Sequence, residues 1–160
     1  MTRKTLLTTT AAVTAAAALL ANHAFAASTT GTARQVVVAA IAITNTSDLD
    51  FGTAAQSDAQ KTVAPGSSEN AENGSFAVTG QANTAYTITL PADGTVTMTT
   101  GAGGANETIA VSSFTSSPSG TGLLNGSGTQ NLFVGATRAA LGAAQVAGTY
   151  TATYTVTVVY

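Results

Sequence analysis

The chain has 160 residues, of which only 8% are charged, and a formal charge of −2. Lys and Arg together number 5, too few and too scattered for a nucleic-acid or anionic-membrane surface, both of which reward clustered cations. There is no cysteine, which excludes a disulfide framework and leaves packing and hydrogen bonds to hold the fold.

The chain opens with Arg3 and Lys4, then the run "LLTTTAAVTAAAALLA", then "NHAFAAS". A basic start, an apolar stretch and an A-x-A site at Ala24, Phe25 and Ala26 predict a cleaved secretory signal over residues 1–26. The stretch is too rich in Thr and Ala for a membrane anchor, and no later segment reads as a span. Residues 27–160 are then a single domain. The one histidine, His23, lies in the signal, so the mature part has no His, Cys or Trp. Its strong bases are Arg34, Lys61 and Arg138, against seven carboxylates.

The first strand signal is "ARQVVVAAIAITNT", Ala33 to Thr46, read as a strand over Arg34–Thr44. Val37, Ala39, Ile41 and Ile43 fall on one face; Val36, Val38, Ala40 and Ala42 fall on the other. A strand apolar on both faces belongs in a buried setting. It can be the first strand of its own domain, lie back beside the terminal strand, or reach into the next molecule. Short strands follow at Leu49–Phe51, Lys61–Ala64 and Ser75–Thr79. The clearest unit is "TAYTITLPADGTVTMTT", Thr84 to Thr100. Tyr86, Ile88 and Leu90 alternate with threonines, Asp93-Gly94 signals a turn, and Val96 and Met98 alternate again, which predicts a hairpin. Strands are next expected at Thr108–Phe114, Leu132–Val134 and Arg138–Leu141. Between them Ser116–Asn131 is a long Gly/Ser loop pinned by Leu123 and Leu124. Ala136–Val146 has room for a short helical turn that Gly142 weakens. The chain finishes on "GTYTATYTVTVVY", where Tyr150, Ala152, Tyr154, Val156, Val158 and Tyr160 share one face. Many short strands between turn signals indicate an all-β, antiparallel sandwich or barrel.

Chemistry is sparse. "DFG" at Asp50–Gly52 copies a kinase tripeptide without the glycine-rich loop, lysine or histidine that give it meaning. Asp48 and Asp50 share a strand face, but calcium needs six to eight oxygens and no calcium-loop pattern surrounds them. Glu69 and Glu72 sit in the polar loop "SSENAENGS" and read as solvated. The glycines of "GAGGAN" and "GTGLLNG" do not lead from a strand into a helix, as a phosphate cradle requires. With no histidine and one mature lysine, nothing is placed to take a proton from the many Ser and Thr hydroxyls. The expectation is a protein that is not an enzyme and holds no cofactor or metal.

Four blocks carry a resemblance: "LDFG" at Leu49–Gly52, "FAVTGQANTAYTITLP" at Phe76–Pro91, "LFVGATRAA" at Leu132–Ala140 and "AGTYTATYTVTVVY" at Ala147–Tyr160. Taken in order, they resemble a family of secreted bacterial proteins known as domain of unknown function four-four-zero-two. That resemblance implies an immunoglobulin-like, Greek-key-like β-sandwich, export, and a tie to fimbria-like surface structures. The chain is also loosely similar to chaperone–usher pilins, which end on an alternating strand with an upstream glycine and a tyrosine near the terminus. Gly148 and Tyr160 fit that shape, although here the tyrosine is the last residue and the usual cysteine pair is missing.

The expected function is a secreted structural subunit of a surface assembly, with copies linked by strand exchange. Val36, Val37, Val38, Ile41 and Ile43 are the candidate assembly strand at one extremity. Tyr150, Tyr154, Val156, Val158 and Tyr160 are the candidates at the other. The expected partners are further copies or related surface subunits, with a periplasmic chaperone as a candidate helper; nucleic acid and membrane are not expected. The location is periplasm, cell surface or medium. The alternative is a monomeric module that binds surface glycans or proteins through "SSENAENGS" and "SSPSGTGLLNGSGTQN".

Overall fold

The structure, a computed structural model, describes residues 26–160. The predicted signal lies outside the described residues except for Ala26. Nine strands follow in order: β1 Ala42–Ser47, β2 Lys61–Val63, β3 Gly74–Thr79, β4 Ala85–Thr89, β5 Val96–Thr99, β6 Thr108–Ser117, β7 Thr121–Leu123, β8 Thr129–Arg138 and β9 Thr157–Val159. No helix occurs among the described residues.

They form two antiparallel sheets packed face to face. The larger has the order β1-β3-β8-β6-β5, with β2 also paired to β8, and the smaller the order β7-β4-β9. The ten-residue β8 organises the larger sheet. On one side it pairs β3 through Thr129–Val134 and then β2 through Ala136–Arg138; on the other it pairs β6. Buried by neighbours on both edges and covered on both faces, β8 reads "LFVGA" with no alternation, as a central strand should. β4 alternates instead: Tyr86 and Ile88 are buried while Ala85, Thr87 and Thr89 face water.

Two apolar clusters fill the sandwich. Phe76, Val78, Tyr86, Ile88, Leu124, Leu132, Val134, Val156 and Val158 form the first. Phe51, Val63, Val96, Val111 and Ala136 form the second. Phe114 and Tyr154 pack against both. The Tyr154 ring meets Phe76 edge-on at 6.1 Å between centroids and lies tilted over Phe114 at 5.4 Å, both within the range of favourable aromatic pairs.

The all-β antiparallel sandwich is as expected, but several segments differ from the sequence reading. The turn at Pro91–Gly94 reverses the chain without making a hairpin: β4 belongs to the smaller sheet and β5 to the larger. The first strand starts at Ala42, and Arg34–Ile41 lies outside any strand. β1 is an edge strand with only β3 beside it, and the upstream run lies outside any strand, with no neighbouring strand paired to it. Val36, Val37 and Val38 are accordingly 69%, 83% and 53% exposed. Leu49–Phe51 forms no strand, although Phe51 is buried. The expected strand at Arg138–Leu141 is only the end of β8, and Ala136–Val146 holds a turn at Ala143–Ala144 in place of a helical one. In the Gly/Ser loop Leu124 is fully buried and Leu123 is 59% exposed, so one leucine pins it. The terminal strand is interrupted: Thr151 bridges Thr99 of β5, and pairing resumes only with β9 on β4.

Candidate functional site

The two candidate extremities meet along one side of the sandwich. β1 is an edge of the larger sheet and β9 an edge of the smaller. β1 runs antiparallel to β3. The terminal segment is set against β3 by two tyrosines. The Tyr154 hydroxyl lies over Gly74, where a β-carbon would collide with it, and the Tyr160 hydroxyl lies over Gly80 in the same way. The spacing matches, six residues from Gly74 to Gly80 and six from Tyr154 to Tyr160. Both extended stretches advance by similar amounts per residue, so the segment tracks β3 and leaves a seam between itself and β1.

One end of the seam is closed. The Tyr160 hydroxyl accepts from the Gln81 backbone N–H and donates to the Ala39 carbonyl at 3.1 Å, and Gln81 Oε1 accepts from the Ala39 N–H at 3.3 Å. The last residue thereby fastens the point just after Val36–Val38. Ile41 and Ile43 are half-buried against the first cluster, and Val156 and Val158 are buried in it. Full burial of such a side chain contributes roughly 1.5–3 kcal/mol, and the half-buried isoleucines contribute less.

The other end is open. A hollow of about 400 Å³ is lined by Asn45, Asp48, Leu49, Phe76, Met98 and Tyr150–Tyr154. Along it, Ala152–Val156 makes no backbone hydrogen bond among the described residues. Ala152, Thr153 and Thr155 face water. Tyr154 sits at the floor with its hydroxyl buried and unpartnered. Burial first, and the Asp48 carboxylate second, push its pKa up to about 12. Tyr86, whose pKa burial also raises, donates to Gln130 Oε1 at 2.8 Å. Tyr150 is anchored as well: its hydroxyl lies 2.6 Å from the Val146 carbonyl and accepts from Gln145 Nε2 at 2.9 Å.

A larger hollow of about 510 Å³ adjoins the open end through the shared residues Leu49, Met98 and Tyr150. Arg138 borders it and is only 5% exposed. Its guanidinium donates to the Ala139 and Ala59 carbonyls at 2.8 and 3.0 Å, and its Nε has no partner. Arg138 thus ties the chain before β2 to the end of β8 without a carboxylate. Among the described residues an ion pair joins half-buried Lys61 to exposed Glu72 at 2.6 Å, and a pair so open to water contributes little. Asp48 accepts from Asn45 Nδ2 at 2.9 Å and Asp50 from the Gly52 N–H at 2.7 Å. Both carboxylates therefore serve local turns. Among the described residues no three His, Cys, Asp or Glu side chains gather. Neither "SSENAENGS" nor the Gly/Ser loop lines either hollow.

The predicted assembly residues divide accordingly. Ile41, Ile43, Tyr154, Val156 and Val158 are packed into the domain; Tyr160 closes the seam; Tyr150 anchors the rim; Val36, Val37 and Val38 stand in water. The sequence reading missed the open hollow and its floor residues Leu49, Phe76 and Met98. The equal spacing of the Gly74/Gly80 and Tyr154/Tyr160 pairs is a signal for the seam, and no local pattern marks the hollow itself.

The fold and its edges define a two-sheet antiparallel β-sandwich with an unfinished edge. The model of one family, Domain of unknown function (DUF4402), matches residues 41–160. The chain belongs to that family. Comparisons with curated proteins and with solved structures give no match. The family match begins where the half-buried Ile41 begins, leaving the exposed valines outside it.

Proposed function

We propose that this protein is an exported structural subunit of a fimbria-like or other cell-surface assembly, its copies joined by β-strand pairing. The observation that carries the reading is the coexistence of an exposed valine run, Val36–Val38, with an unpaired stretch of backbone, Ala152–Val156, in one molecule. Exposed apolar residues and open strand edges both recruit other chains. Low charge weakens repulsion between copies. Export rests on the signal read over residues 1–26, and a periplasmic chaperone that covers the valines before assembly fits the same logic.

The test compares the purified protein with a variant lacking residues 27–38, a deletion that leaves β1 in place. Light scattering and electron microscopy should find linear assemblies for the former and monomers for the latter. Equal behaviour of the two, with both folded, refutes the reading.

A second reading is a monomeric module for surface glycans or proteins, favoured by the 510 Å³ hollow beside Arg138 and Gln145. Glycan-array binding by a strictly monomeric sample would support it.

A further inference from the structure

Resting on the strand-linked reading above, we propose that the open end of the seam receives Val36–Val38 of a second copy of this chain. The incoming residues add as a short strand to the free backbone of Ala152–Val156 and join the copies head to tail.

Four features converge on this occupant. The receiving backbone is extended and already oriented: Tyr154 and Val156 point into the domain while Thr153 and Thr155 point to water. A strand with one edge unpaired offers its N–H and carbonyl groups to another extended chain. The floor beneath is apolar, made by Leu49, Phe76, Met98 and the Tyr154 ring. It suits branched aliphatic side chains spaced by two, which is what Val36 and Val38 supply.

Charge agrees with shape. Asp48 is the charged residue lining the hollow, and its carboxylate is near enough to raise the Tyr154 pKa. The first charge upstream of the valines is Arg34, which shares the face of Val36 and Val38 in an extended chain. With that face on the hollow, Arg34 is directed at the bank that carries Asp48.

The direction of the link follows from where each part sits. The valines precede Ala39, which is fastened at the closed end by Tyr160 and Gln81. The hollow is at the opposite end, beside Asn45, Asp48 and Leu49. Ala39 and Asp48 are separated by β1, so by about 30 Å of extended chain. Val36–Val38 therefore cannot turn back into the hollow of its own molecule while Ala39 stays fastened. A donor at one end and an acceptor at the other make a heterologous contact, which propagates as an open filament wherever the rotation between copies does not close a ring. β1, β5, β7 and β9 are also sheet edges; of these β7 is only three residues long and lines neither hollow.

The absence of native cysteine makes the test direct. Two full-length single variants, Val37→Cys and Thr153→Cys, are mixed under mild oxidation. Both positions face away from the hollow in the proposed pairing. Neighbouring Cα atoms across an antiparallel pair lie about 4.5–5.5 Å apart, within disulfide range. The expected result is a mixed dimer, and no dimer when Leu123→Cys, on the β7 edge, replaces Thr153→Cys. A dimer with Leu123→Cys, or assembly without the 37–153 link, overturns this site yet leaves strand-linked assembly standing. Monomers under every condition overturn both. As a second readout, Arg34→Glu and Asp48→Arg should each weaken assembly by about two- to fivefold, as expected for one exposed ion pair, and together restore it. A double variant no better than the single ones counts against the proposed seating.

Discussion

The two ends of the seam between β1 and the terminal segment are built from the same parts and finished differently. At each end a tyrosine hydroxyl sits over a glycine of the β3 region. At the closed end the Tyr160 hydroxyl has two partners and holds both Gln81 and Ala39. At the open end the Tyr154 hydroxyl has none, and the backbone beside it is unpaired. A buried hydroxyl without a partner costs on the order of 1–3 kcal/mol. The packing of the Tyr154 ring on Phe76 and Phe114 offsets that cost. The difference teaches that the ring is held for its shape, while the tip of Tyr160 is held for its hydrogen bonds.

Substitutions can break this comparison, beginning with the most damaging. Gly74→Ala drives a methyl into the Tyr154 hydroxyl, and the ring cannot swing aside between two phenylalanines. A loss of roughly 1–3 kcal/mol is expected in denaturant melts, as for other overpacked sites. Adding Tyr154→Phe removes the obstructing atom, so the double variant should regain part of the loss, and a strictly additive pair would contradict the geometry.

Tyr160→Phe leaves the Gln81 N–H and the Ala39 carbonyl without this partner. It should cost about 0.5–1.5 kcal/mol and quicken amide exchange around Ala39. Tyr154→Phe alone should be neutral or stabilising by up to about 1 kcal/mol at pH 7, since it deletes an orphaned polar atom. Its alkaline behaviour sharpens the point. The folded pKa of Tyr154 is pushed up to about 12 against 10.0 for the free side chain. The folded state thus holds the proton more tightly than the unfolded chain. That contribution is complete below pH 10 and fades as pH rises from 10 to about 12. The variant should lose less stability over that window, with Tyr86 supplying the remaining dependence of the same sign. The smallest effect is expected for Val36→Ser, within about 0.5 kcal/mol in stability, because Val36 is 69% exposed. The same change should suppress assembly.

Much of the sandwich was legible because burial writes itself into residue order. Tyr86 and Ile88 in β4 and Val156 and Val158 at the terminus alternate as one-sided strands must. What residue order does not encode is the identity of the neighbour. Asp93-Gly94 declares a reversal, yet a reversal can carry the chain to the facing sheet as readily as to the adjacent strand, and β4 and β5 took the former course. Val36–Val38 read as buried for a related reason. Apolar character states that a segment gains from cover but not that its own domain supplies it, and here β3 is the sole strand beside β1. The open hollow was hidden because Leu49, Phe76 and Met98 come from three distant parts of the chain. Arg138 was read as the start of a strand, and its role as a buried tie between carbonyls depends on the loop before β2, which no local pattern announces.

Amide hydrogen exchange, followed residue by residue in dilute monomer and in the assembled state, tests the central claim most directly. Fast exchange at Val36–Val38 and at the Ala152–Val156 amides in the monomer, with both stretches slowed together on assembly, is the predicted outcome. Slow exchange at Ala152–Val156 already in the monomer, or fast exchange there in both states, would contradict it.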